Sequence, residues 1–125
     1  MKNSSSTQPD TACATQPVSD NNPRCPVRMS IQVLGGKWKL LLLSYLFEAP
    51  RRYGELRRLV PDVTEKMLIQ VLRELEADGL LTRTMHHQVP PRVDYALTEA
   101  GRQVRPVFDQ LLSWGENYLA MSNEQ

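Results

Sequence analysis

Two short amphipathic segments joined by a three-residue turn constrain this chain more than any other feature. Tyr53, Leu56, Leu59 and Val60 share one face of a helix predicted over roughly 52–60. Leu68, Val71, Leu72 and Leu75 share one face of a second helix that runs to about Asp78. Between them lies Pro61-Asp62-Val63, a tight turn. Thr64 is a good N-cap for the second helix, and Gly79 supplies its stop. Two helices linked by about three residues form the helix-turn-helix pattern.

The flanking segments extend the pattern. Leu80 to Met85 and Arg92 to Leu97 read as strands, with Val93, Tyr95 and Leu97 alternating with Arg92, Asp94 and Ala96. His86-His87-Gln88-Val89-Pro90-Pro91 connects them, so a β-hairpin follows directly on the two helices. Upstream, Pro26 suits a first helical turn, Val27, Ile31 and Leu34 make one stripe, and Gly35-Gly36 ends that helix. A core helix is predicted over about 37–47, with Trp38, Leu41, Leu42, Tyr45 and Leu46 in period, stopped by Ala49-Pro50. A last helix opens near Thr98 and runs to about Met121; Pro106 should kink it or mark its true beginning. The expected fold class is mostly α with a small β-hairpin: a winged helix-turn-helix with extra N- and C-terminal helices. Residues 1–23 are polar, carry almost no large apolar side chains, and are expected to form a disordered tail before a single domain over 24–122.

Composition removes several function classes. No apolar run approaches the roughly 18 residues that span a bilayer, and no apolar stretch follows Lys2 as a secretory signal requires. A cytoplasmic location is expected. Two cysteines, Cys13 and Cys25, are too few for a disulfide scaffold and fit a reducing compartment. No nucleophile has a base at a recognisable spacing and no Gly-rich phosphate loop is present, so neither an enzyme nor a cofactor is expected. His86 and His87 are adjacent, but no further ligands follow at metal-binding spacing, and no metal is expected.

The stretches CPVRMSIQVLGGKWKLLLL, YGELRRLVPDVTEKMLIQVLRELEADGLLTRT and VPPRVDYALTEAGR stand in the order and spacing of a known family. Over about Cys25 to Leu119 the chain resembles the HxlR-type winged helix regulators, relatives of the MarR type. The resemblance implies a homodimeric bacterial repressor or activator acting on double-stranded DNA, with a cysteine just before the first helix, here Cys25, that senses electrophiles or oxidants in many members.

The residues then fall into roles. With the apolar stripe of the second helix buried, Glu65, Lys66, Ile69, Gln70 and Arg73 project outward, where Lys66 and Arg73 suit phosphate or guanine and Gln70 suits adenine. Thr64 begins the same helix. Arg51 and Arg52 precede the first helix of the motif, which crosses the phosphate backbone in such complexes. Arg57 and Arg58 lie on it, one of them able to pair with Glu55 or Glu74. His87 and Arg92 belong to the wing, with Arg92 the stronger candidate. From Arg51 to Arg73 the chain carries a local excess of three positive charges, although its net charge is only +1. The dimer seam is expected from Val27 and Ile31 together with Val107, Phe108, Leu111, Leu112, Trp114 and Tyr118. The operator would then be an inverted repeat. Cys25, at a helix start beside Arg24 and Arg28, has surroundings that favour thiolate. The position equally suits a small buried side chain without reactivity. Cys13, in the tail, is either incidental or a resolving partner. The competing class is a winged-helix module for protein–protein contact, since the fold serves several functions.

Overall fold

The computed structural model describes residues 25–123; the expected disordered tail lies outside them. The chain divides into two units, Met1–Gly36 and Lys37–Gln125. Within the first, α1 spans Pro26–Leu34, with Cys25 at its N-cap and Pro26 in its first turn. Val27 and Ile31 stand exposed on it.

The second unit begins with α2, Lys39–Glu48. Its buried positions are Leu42, Leu43 and Leu46, while Leu41, expected inside, is 43% exposed. Four consecutive leucines leave the inward face open in the sequence, and packing selects it. Next come β1 (Arg51–Arg52), α3 (Tyr53–Leu59), α4 (Glu65–Ala77), β2 (Leu81–His86), β3 (Arg92–Leu97), α5 (Glu99–Arg102) and α6 (Arg105–Asn123). The wing is a three-stranded sheet in the order β1-β3-β2, not a two-stranded hairpin. Arg51 and Arg52 pair antiparallel with Tyr95 and Asp94, and β2 pairs with β3 from Leu81 opposite Leu97 to His86 opposite Arg92.

The helix-turn-helix closes on a buried cluster. Leu56 of α3 and Leu68, Leu72 and Leu75 of α4 are all but inaccessible, and Val60 and Val63 line the turn between them. Thr64 Oγ1 accepts a hydrogen bond from the Met67 amide at 3.1 Å, satisfying one of the free donors at the start of α4. At the other end Gly79 adopts φ 80°, the Gly79 amide donates to the Glu76 carbonyl, and the Leu80 amide donates to Leu75. That pair of bonds is a Schellman stop, and its left-handed residue favours glycine.

Thr98 caps a helix, as its sequence suggests, but only the single turn of α5. The chain breaks at Gln103-Val104 and the long helix starts at Arg105, so Pro106 lies at its beginning, where a missing amide hydrogen costs nothing. Thr98 also donates its hydroxyl to the Gly79 carbonyl at 2.6 Å, and its amide donates to Leu80. This turn therefore docks on the exit of α4.

Candidate nucleic-acid interface

The α4 face opposite its buried leucines carries Glu65, Lys66, Ile69, Gln70 and Arg73. Helical geometry brings these five predicted residues onto one surface. They are not equally available. Glu65 is held from α3: its carboxylate lies 3.3 Å from Arg57 and accepts from the Tyr53 hydroxyl at 3.3 Å. Gln70 donates to Glu74 at 3.2 Å, and Glu74 also pairs with Lys39 of α2 at 3.2 Å. These bonds hold the Glu74 carboxyl below the ordinary 4.5, the Gln70 hydrogen bond first and Lys39 second. Among the described residues no ion pair or hydrogen bond engages the side chains of Lys66 and Arg73, and both are exposed.

The remaining predicted residues spread around this face. Arg51 is turned inward: its Nε donates to the Tyr45 carbonyl at 3.1 Å and its terminal nitrogen lies 3.3 Å from Glu48. Arg52 is exposed, with its amide bound by Glu55 at 2.8 Å. Thr64 spends its hydroxyl oxygen on the α4 cap. Arg57 finds its partner in Glu65, where the sequence offers Glu55 or Glu74 as one option for Arg57 or Arg58. On the wing His87 is exposed, whereas Arg92 and His86 both meet the Asp94 carboxylate, at 3.3 and 3.0 Å.

Three contributors were not singled out for this surface from the sequence. Tyr53, Arg83 and Tyr95 line a groove of about 460 Å³ whose other wall is Glu65, Ile69 and Arg73 of α4. Burial pushes the Tyr95 phenol above the usual 10.0, while a hydrogen bond from Arg83 pulls it back. The strand alternation that places Tyr95 inward was legible; the partner across the sheet was not.

Cys25 is 4% exposed and disulfide-bonded. Cys13, the chain's other cysteine, lies outside the described residues. On α6, Leu111, Leu112, Trp114 and Tyr118 are 48–64% exposed, as is Val107 at 46%. Trp114 and Tyr118 stack at 5.1 Å. Phe108 is engaged within the chain, edge-on to Phe47 of α2 at 5.8 Å. Among the described residues no cluster of three or more His, Cys, Asp or Glu could hold a metal, and no helix is long and apolar enough to cross a membrane.

A helix presented on a capped first turn, backed by a second helix across a short turn and followed by an antiparallel wing, defines a winged helix-turn-helix protein. The chain belongs to the HxlR-like helix-turn-helix family, whose pattern matches residues 33–123, and it is a transcriptional regulator of that fold. It is 49% identical over 94 residues to YkvN, an uncharacterized HTH-type transcriptional regulator of Bacillus subtilis (strain 168), covering 75% of this chain and 80% of YkvN. Among solved structures it is similar to the redox regulator HypR in its reduced form, with a TM-score of 0.75 and 43% identity, over 80% of this chain and 99% of HypR. HypR in its oxidized form gives 0.70 and 47%, over 74% and 96%.

Proposed function

We propose that this regulator binds operator DNA as a homodimer, reads it with α4 inserted in the major groove, and changes its DNA affinity with the oxidation state of Cys25. The observation that carries the DNA reading is the pair Lys66 and Arg73. Two exposed cations that no ion pair or hydrogen bond engages among the described residues sit on the solvent face of a capped helix whose opposite face is buried. That arrangement suits base edges and phosphates.

The second copy is supported by α6. Its exposed row of Val107, Leu111, Leu112, Trp114 and Tyr118 is the kind of contiguous apolar surface that marks an interaction site. A two-fold pairing of this face matches an inverted-repeat operator, with half-sites one helical turn, about 34–36 Å, or a multiple apart. Val27 and Ile31 of α1 offer a further apolar surface to the assembly.

The redox reading rests on Cys25, buried and oxidised at the start of a helix, and on similarity to a protein solved as a redox regulator in two states. A switch requires the two states to differ in DNA affinity. The test is a gel shift on DNA from the protein's own upstream region, with and without oxidant, using the parent chain and Cys25→Ser. Oxidant should change binding by the parent and leave Cys25→Ser unmoved. Parallel thiol titration should find a single reactive thiol in Cys25→Ser under both conditions. An equal response of both proteins would overturn the sensing role and leave the DNA-binding role standing.

A further inference from the structure

We infer that Glu74 and Lys39 are positioning residues for base recognition: together they fix the orientation of the Gln70 amide, and so which base it accepts. The inference rests on the reading of DNA by α4 and deepens it. Neither Glu74 nor Lys39 needs to touch the duplex.

A glutamine side chain ends in an acceptor and a donor, and a half-turn about its last bond exchanges them. A free amide therefore suits more than one base edge. Gln70 is exposed on α4, but its amide is not free. Its Nε2 donates to Glu74 Oε2 at 3.2 Å, one turn further along the helix. The other carboxylate oxygen, Oε1, lies 3.2 Å from the Lys39 ammonium. Each oxygen has its own partner, so the carboxylate is held at both corners. Lys39 stands in the first turn of α2 and its side chain is only 12% exposed, so the cation is supplied by a different element and is largely shielded from water. Both partners favour the ionised carboxylate. An ionised carboxylate only accepts hydrogen bonds. Gln70 must therefore turn its nitrogen toward Glu74 and its carbonyl oxygen away. In the flipped orientation two acceptor oxygens would meet.

The amide held this way offers Oε1 and one remaining N–H. In the major groove adenine presents a donor beside an acceptor, N6 and N7, and matches that pair. Guanine presents two acceptors, O6 and N7. It would set one of them against Oε1, and the second N–H that a free amide could supply is already committed to Glu74. The tether therefore selects adenine over guanine at the base pair that Gln70 meets, and part of that selection originates in Lys39, a residue of the core helix.

The test measures binding of the full chain, by competition at fixed salt, to its upstream DNA and to a panel in which each A·T pair of the bound site is exchanged singly for G·C. The parent should disfavour guanine at one position of each half-site by about 5- to 150-fold, the range of one bidentate contact. Gln70→Ala should lose that discrimination there and nowhere else. Glu74→Gln keeps the size of the side chain but can donate as well as accept, so it frees Gln70 to flip. It should move the adenine-to-guanine ratio at that position toward the Gln70→Ala value while preferences elsewhere stay at the parent's. Lys39→Met should shift the ratio the same way, and Lys39→Arg, which keeps a cation on Oε1, should restore it. In the Gln70→Ala background, Glu74→Gln should change nothing at that position. A ratio taken within one variant is insensitive to the fraction folded; where Lys39→Met fails to fold, Glu74→Gln decides. A purely structural tie between α2 and α4 would weaken every duplex equally and leave the ratio intact. That result, or a position-specific preference that Gln70→Ala or Glu74→Gln retains in full, overturns the inference and leaves DNA binding standing. A parent that binds none of the duplexes overturns both.

Discussion

The ammonium group of Lys39 lies 3.2 Å from the Glu74 carboxylate, tying the core helix α2 to the solvent side of the recognition helix. The same carboxylate accepts from Gln70, which is thereby tethered to a structural ion pair. Both partners favour the ionised form, and the Glu74 pKa is lowered below 4.5. A lowered folded-state pKa means that the tether is complete at neutral pH and is lost as pH falls through that lowered value. A carboxyl-resolved NMR titration should place the Glu74 midpoint below 4.5. Gln70→Ala and Lys39→Met should each raise it, since each removes a group that favours the ionised carboxylate.

Lys66→Ala and Arg73→Ala should each weaken operator binding by about 1–3 kcal/mol while leaving the fold intact. Both side chains are exposed, and no ion pair or hydrogen bond engages them among the described residues. Titrations at fixed salt, with circular dichroism as the folding control, check this. Unchanged affinity for both would assign the reading face elsewhere. Glu65→Ala should behave differently, since it also frees Arg57 and Tyr53.

Leu111→Asp should convert a dimer to a monomer in sedimentation at micromolar concentration. Leu111 is 48% exposed, so a charge there does little to the isolated chain, whereas in an apolar seam it is buried without a partner. Retention of the dimer would remove α6 from the interface.

Gly101→Ala should destabilise the chain by about 1–3 kcal/mol, the usual range for overpacking. A Cβ there would collide with the Leu80 carbonyl and crowd Leu97. That carbonyl already accepts from Thr98 at 3.0 Å, so the backbone has little freedom to retreat. Urea unfolding measures the loss.

Where local chemistry decides the structure, the sequence could be read directly. The Thr64 cap, the buried row Leu68, Val71, Leu72 and Leu75, the Gly79 stop and the alternation of β3 each depend on residues within one or two turns of each other. Non-local choices escaped. A two-residue strand at Arg51–Arg52 shows no period of its own; it exists because Tyr95 and Asp94, more than forty positions later, offer a free edge. Nothing near Arg51 in sequence announces that its side chain turns back to the end of α2. The separation of α5 from α6 was half visible, since Pro106 marked the place but allowed either a kink or a start. The Arg57–Glu65 and Arg92–Asp94 pairs depend on which rotamers the packed helices and strands leave open.

The short strand β1 has a mechanical consequence. It pairs with the central strand of the wing, and the next residue, Tyr53, is already the first of α3. Wing and first helix are thus joined without slack, and α5 bolts the far end of the sheet to the exit of α4 through Thr98. A hinge needs a compliant joint, and neither end of the wing has one. Any signal that changes how this helix-turn-helix is presented must therefore carry the head as a whole, or first unzip those two residues. Amide exchange along β1 would tell the two modes apart.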